Sequence, residues 1–186
     1  MGTRPIVLRS RITIIGFIVA VAVCSIATLS VGITRISGNS MVPTLCDGDL
    51  VITWSTAARA FNVGEVVIFR IDSGTPAVKR IVALGQTSVR TDADQAIVSG
   101  RVLQEPYACL NGFPNARTRM EHGLAWRRQV PLNLGEAFVM GDNRASSVDS
   151  RDFGAIQLRH VESKVLFRVP LGRANPRCVC LAALPR

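Results

Sequence analysis

Residues 36–53 read ISGNSMVPTLCDGDLVIT, and the rest of the chain is understood from this stretch outward. Gly38 and Asn39 are turn formers, and Ser40 follows them directly. Met41-Val42-Pro43-Thr44 does not start a helix, because proline lacks a donor and holds the residue before it extended. Asp47-Gly48-Asp49 is a second turn signal, and 50–53 (LVIT) reads as a strand. Ser40 is therefore expected on a rigid extended turn just ahead of a buried strand. A serine hydroxyl is a weak nucleophile until a base takes its proton, so the base must come from elsewhere in the chain.

The 186 residues suffice for one domain with a real core. Hydrophobic residues make up 48% of them, a high share for a soluble protein, and the excess has a local source. Between Arg11 and Arg35 lie 23 uncharged residues, ITIIGFIVAVAVCSIATLSVGIT. At about 1.5 Å per residue they reach roughly 35 Å, enough to cross a bilayer core of about 30 Å. A cleaved signal peptide has a shorter apolar region, and a cut here would release the chain beside Ser40. A buried core helix carries a polar stripe, which this segment lacks. The segment 12–34 is read as a retained transmembrane anchor. Arg4, Arg9 and Arg11 precede it and only Arg35 follows closely, so 1–11 is placed in the cytoplasm and 36–186 outside.

The net charge of +9 raises the question of nucleic acid. The arginines are scattered, aromatics are few and no nucleic-acid motif is present, so no nucleic-acid partner is expected. Attraction of a tethered basic domain to anionic lipid headgroups accounts for the charge more simply. Lysine occurs only at Lys79 and Lys164.

Beyond Asn62 the chain reads as β-structure. Segments 64–71 (GEVVIFRI) and 77–84 (AVKRIVAL) flank a Gly- and Pro-containing turn and form a predicted hairpin. Strand periodicity puts Ala77, Lys79, Ile81 and Ala83 on one face, and Val78, Arg80, Val82 and Leu84 on the other. Each face carries one cation among apolar residues, so Lys79 or Arg80 must be partly covered. Burial disfavours the ammonium form and frees a lysine to act as a base, whereas arginine does not usefully deprotonate. Lys79 is the candidate general base. His122, in an Arg-rich polar stretch, and His160, among charges in QLRHVESK, read as solvated surface residues. A Ser-Lys pair is favoured over a Ser-His-Asp triad.

Further short strands are expected at 87–90, 96–98 and 101–103, followed by a turn-rich span broken by Pro106, Gly112, Pro114 and Asn115. The span 105–135 is read as a variable insert with no chemistry of its own. Cys46, Cys109, Cys178 and Cys180 would face an oxidising compartment, which permits disulfides in pairings the spacing does not choose. Cys178 and Cys180, with only Val179 between them, are too few for a typical structural zinc site, so no metal is expected. Cys24 reads as apolar filler inside the anchor. After a strand at 137–140, residues 141–154 (GDNRASSVDSRDFG) gather carboxylates, arginines and serines into one loop, enough for a self-satisfied network around a buried lysine.

Taken in order behind one N-terminal anchor, SGNSMVPTL with GDLVIT, GEVVIF, AVKRIVAL and GDNRASSVDSRDFG resemble the bacterial type I signal peptidases, or leader peptidases. The likeness covers the anchor and most of the outer domain, and 109–134 matches little. It implies a mainly antiparallel β fold, of the signal-peptidase and LexA-like kind, with one N-terminal transmembrane helix. It also implies that Ser40 is the nucleophile and Lys79 the general base, with Ser147 hydrogen-bonded to the lysine. Asp149 and Arg151 would form an ion pair at the site, and Asp142 would pair with Arg80. The Ser40 N–H would donate to the oxyanion. Some relatives add a hydroxyl two residues before the nucleophile, where this chain has Gly38. The endoplasmic-reticulum relatives carry histidine in place of Lys79. The usual Pro-Gly-Asp after the lysine strand is replaced by Gly85-Gln86, a change in a turn.

By the same resemblance the reaction is removal of signal peptides from exported preproteins near the translocon at the bacterial cytoplasmic membrane. Ile36, Met41, Leu45 and Val78 match positions lining small pockets that favour Ala-x-Ala before the cut. No cofactor is implied, since a neutral lysine does the proton transfer. Two alternatives stand beside it. One is a LexA-like self-cleaving Ser-Lys protein, although an anchor stands here where a DNA-binding domain would be. The other is an inactive membrane-tethered assembly factor, against which Ser40, Lys79 and Ser147 are all present.

Overall fold

A computed structural model describes residues 14–18, 31–55, 60–71, 74–92, 94–109 and 129–170. Among the described residues, eleven strands form two antiparallel sheets. In chain order they are β1 (Val31–Arg35), β2 (Leu50–Ser55), β3 (Val66–Arg70), β4 (Pro76–Leu84), β5 (Ser88–Asp92) and β6 (Gln95–Val98). The remaining five are β7 (Arg101–Val102), β8 (Val130–Pro131), β9 (Glu136–Met140), β10 (Ile156–Gln157) and β11 (Val161–Val169). The larger sheet runs β1-β2-β11-β3-β4-β9-β10, and the smaller runs β7-β6-β5-β8.

The hairpin read from the sequence is β3 and β4, with Val67 opposite Lys79 and Val66 opposite Arg80. β3 occupies the middle of the larger sheet, and its Val66, Val67, Ile68 and Phe69 are all buried. A continuous apolar run is what burial on both faces demands of a strand. Val67, Phe69, Ile81 and Val139 form one core. Ile36, Met41, Leu45, Val51 and Val66 form another, around the turn that carries Ser40. Val82, Ala83, Phe138 and Met140 of the larger sheet meet Val89 and Ala96 of the smaller in a third, which locks the two sheets together.

The mainly antiparallel β reading holds, and the expected strands at 50–53, 87–90, 96–98, 101–103 and 137–140 correspond to β2, β5, β6, β7 and β9. One boundary is corrected. Val31–Arg35, whose residues 31–34 fell within the expected anchor at 12–34, is a strand paired with β2. Its β-branched residues form a ladder with Leu50–Ser55, which a bilayer helix would forgo. Of the rest of that segment, 14–18 are helical and the other residues lie outside those described. Among the described residues no helix is long and apolar enough to cross a membrane. Across β1, β2 and β11, Ile33 stands opposite Ile52 and Ile52 opposite Phe167. Ile33 is 72% and Phe167 66% exposed, which leaves an apolar row open at this side of the sheet.

β9 pairs with β4 only from Arg80 onward. Among the described residues the first half of β4, up to Lys79, therefore has no strand on that side. Lys79, the candidate base, ends this unpaired half.

Candidate active site

The turn bearing Ser40 is held by its own polar groups. Asp47 accepts from the Gly38 N–H at 2.8 Å, and Asp49 accepts from the Cys46 N–H at 2.7 Å. Gly38 has a φ of 92°, a conformation that glycine adopts without a Cβ penalty. Backbone bonds between Ile36 and Asp49 and between Gly48 and Ile36 close the base of the turn. Met41 and Leu45 then anchor it in the core. Asp49 is further tied to Arg168 of β11 at 2.6 Å.

Lys79 comes to this turn from β4. Its side chain is buried at 5% exposure, and Nζ donates to Ser40 Oγ at 2.9 Å and to the Val78 carbonyl at 3.0 Å. Burial is the main influence on its ionisation and lowers its pKa from the ordinary 10.5. Asp149 and Asp152 oppose that shift, and Arg151 reinforces it. The arrangement is a hydroxyl in contact with a desolvated amine, which can take the hydroxyl proton. Arg80, on the opposite face of β4, is not left bare either. It meets Asp142 through two hydrogen bonds, of 2.9 and 2.6 Å.

The loop after β9 supplies the other charged groups. Asp142, fully buried, also accepts from Thr44 Oγ1 at 2.5 Å, which binds the loop to the Ser40 turn. Asn143 adds two more links, from its N–H to the Ser40 carbonyl and from Nδ2 to the Asn39 carbonyl, both at 3.0 Å. Asp149 caps the short helix α1 (Ser150–Phe153) and accepts from the Gly141 N–H at 2.9 Å. It is paired with Arg151 at 2.8 Å, with both side chains fully buried. Arg151 also donates to the Arg144 carbonyl at 2.6 Å.

Two placements differ from expectation. Ser147 is buried beside this network, but the expected hydrogen bond to Lys79 is not formed. Its Oγ has no hydrogen-bond partner among the described residues, while Lys79 Nζ is directed to Ser40 and Val78. Ile36, Met41 and Leu45 do come together, with Val78 packed against them, but as the buried core beneath Ser40. His160 is exposed, and His122 lies outside the described residues. Among the described residues no group of three or more His, Cys, Asp or Glu is arranged to hold a metal ion.

Sequence reasoning missed Glu105 and Tyr107, and it placed Arg144 in the loop network without its partner Glu105. The first two lie at the start of the span read as a variable insert, yet they contact the loop after β9 and Arg80. The loop 141–154 holds two arginines and three carboxylates, so its composition gave no signal that a carboxylate from outside was needed. Cys46 and Cys109 are both disulfide-bonded.

Residues 8–170 match the family model described as signal peptidase, peptidase S26. The chain is 32% identical over 162 residues to signal peptidase I of Bacillus caldolyticus, covering 80% of this chain and 86% of that one. It is 30% identical over 170 residues to signal peptidase IB of Staphylococcus aureus (strain COL), covering 83% and 88%. A crystal structure of a signal peptidase I from Enterococcus faecalis V583 superposes with a TM-score of 0.44 at 24% identity, over 59% of this chain and 98% of that one.

Proposed function

Since this chain belongs to the signal peptidase family, peptidase S26, a family of serine endopeptidases, we propose that it removes signal peptides from exported preproteins by a Ser-Lys mechanism. The observation that carries the mechanism is the 2.9 Å contact between Lys79 Nζ and Ser40 Oγ in a buried setting. Neutral Lys79 takes the Ser40 proton as Oγ attacks the scissile carbonyl carbon. The Ser40 N–H donates to the oxyanion that forms, and Gly38 offers no side-chain hydroxyl to assist it. Lys79 then gives its proton to the leaving amine, and the acyl-serine is left. In the second half Lys79 takes a proton from water, the water oxygen attacks the ester, and Ser40 is released with its proton restored.

The open side of β4 before Arg80 suits an extended peptide, which would add a strand there and bring its carbonyl to Ser40. Ile36, Met41, Leu45 and Val78 crowd the floor at that point, which favours small side chains before the cut, as in Ala-x-Ala. Asp149–Arg151 and Asp142–Arg80 act as the ion pairs that hold the loop around the lysine.

The same reading places the chain in the bacterial cytoplasmic membrane, with the N-terminus inside and the catalytic domain outside near the translocon. The apolar run at 12–30 and the arginine asymmetry support it, as do the exposed Ile14, Ile15, Phe17 and Ile18. The open Ile33 and Phe167 row supports contact of the domain itself with lipid. Anionic lipids suit its positive charge.

The test is cleavage of a preprotein carrying an Ala-x-Ala site by the purified full-length chain in detergent. The account expects one cut after that site and none with Ser40→Ala. Equal cleavage by Ser40→Ala would overturn it.

A further inference from the structure

Residues 105, 107 and 109 form a strap across the back of the catalytic loop. Glu105 is paired with Arg144 through both guanidinium nitrogens, and the two side chains are 3% and 0% exposed. Tyr107 donates its hydroxyl to Glu105 at 3.1 Å and lays its ring under the Arg80 guanidinium at 4.1 Å. Burial and the neighbouring Glu105 carboxylate raise its pKa, so the hydroxyl stays a donor. Cys109 donates its N–H to the Asp142 carbonyl at 2.7 Å and accepts from the Arg144 N–H at 3.3 Å. It stands in a parallel bridge with Asn143 and is disulfide-bonded. A turn closed by the Ala108 N–H on the Glu105 carbonyl at 3.0 Å holds the segment together, with Glu105 and Cys109 on the loop and Tyr107 on Arg80.

Arg144, which Glu105 and Cys109 both contact, reaches Gly141 in turn. The Gly141 carbonyl accepts from Arg144 Nε at 3.0 Å and its N–H is held by Asp149. A Cβ at Gly141 would collide with the Ser147 side chain and the Ser40 carbonyl. Arg144 is thus one hydrogen bond away from a residue packed on the nucleophile, and Glu105 is its charge partner. A buried guanidinium without its carboxylate does not stay in place, because the uncompensated charge seeks water.

We propose that the segment 105–109 is a positioning strap for the catalytic loop, in which Glu105 sets the turnover rate through Arg144 and Gly141. The inference rests on the Ser-Lys reading of the site. It also predicts how the loss divides. The residues crowding the substrate side lie on the Ser40 turn and β4, whereas Glu105 acts on the loop after β9. Loosening the strap misplaces reacting groups and leaves substrate affinity alone.

The experiment measures kcat and KM separately on an Ala-x-Ala preprotein for the full-length chain and for Ser40→Ala, Glu105→Gln and Tyr107→Phe, with thermal melts for each. Glu105→Gln is expected to lower kcat by about 10- to 100-fold, the scale of a misplaced catalytic group. Its KM should stay within about twofold, since uniform binding is untouched. Tyr107→Phe keeps the ring and loses one hydrogen bond, so its kcat should fall by about 2- to 10-fold. Normal kcat in both variants, or a loss confined to KM, overturns the strap while an inactive Ser40→Ala leaves the dyad standing. An active Ser40→Ala overturns both. If Glu105→Gln does not fold, Tyr107→Phe decides by the same criteria.

Discussion

Gly141 lies so close to Ser147 that no β-carbon fits between them, and the Ser40 carbonyl closes the same space from the other side. The loop after β9 and the Ser40 turn therefore meet closely at Gly141. Both are fixed by hydrogen bonds at that point, from Asn143 to the Ser40 carbonyl and from Gly141 to Asp149.

Gly141→Ala should force these two segments apart. Overpacking a tight site costs about 1–3 kcal/mol. For a domain of this size that is a fall in Tm of roughly 2–4 °C per kcal/mol. Cleavage should fall much further than stability, because the displaced carbonyl belongs to Ser40, the proposed nucleophile. Paired melting and cleavage measurements decide the matter, and a Gly141→Ala enzyme with unchanged rate would show that the contact is not needed.

Asp142 is fully buried and is shared by Arg80 and Thr44. Asp142→Asn keeps the shape and removes the charge, so Arg80 is left in a mostly buried place without its counter-ion. Breaking one side of a buried pair costs about 3–5 kcal/mol. Arg80 is 11% exposed at its side chain and Tyr107 covers it, so the lower end of that range is expected. Urea unfolding of the detergent-solubilised chain checks this, and a midpoint shift below experimental error would count against the pair as a structural anchor.

Cys46 and Cys109 are disulfide-bonded, so alkylation without reductant should leave both unlabelled in the purified full-length chain. Peptide mapping before and after reduction reads this directly. Free labelling of both in unreduced material contradicts it.

Much of this arrangement is legible in the sequence, and the reason is local. β3 and β4 are bounded by turn residues, and the Val-Val-Ile-Phe run can hardly be anything other than a buried strand. Strand periodicity narrowed the covered cation to Lys79 or Arg80, and only the lysine can usefully give up its proton. What stayed hidden depends on distant partners. β1 is too apolar to be told from the end of the anchor until its ladder with β2 is seen. β11 is nine residues long but mixes Glu162, Ser163, Lys164 and Arg168 into its run, and its register slips at two places, which blurs the period. Glu105 and Tyr107 follow a strand of two residues in a Pro-containing stretch, and nothing in that spacing announces that Arg144, 39 residues on, needs a carboxylate. Ser147 shows the opposite error. The motif puts it near the lysine, but the actual donor geometry directs Lys79 to Ser40 and Val78.

The account turns on Lys79 acting as a neutral base, and kcat/KM against pH on one preprotein substrate tests that most directly. Because burial lowers the lysine's pKa, the active form appears as pH rises through a value below 10.5, and activity is lost as pH falls below it. Lys79→Ala should lose on the order of 10²–10⁴ in rate, the usual worth of a general base. Lys79→Arg should do no better, since a guanidinium stays protonated. Ser147→Ala should be milder, and His160→Ala should leave the profile unchanged. A Lys79→Arg enzyme with near-normal rate, or a rising limb that survives in Lys79→Ala, would contradict the Ser-Lys assignment.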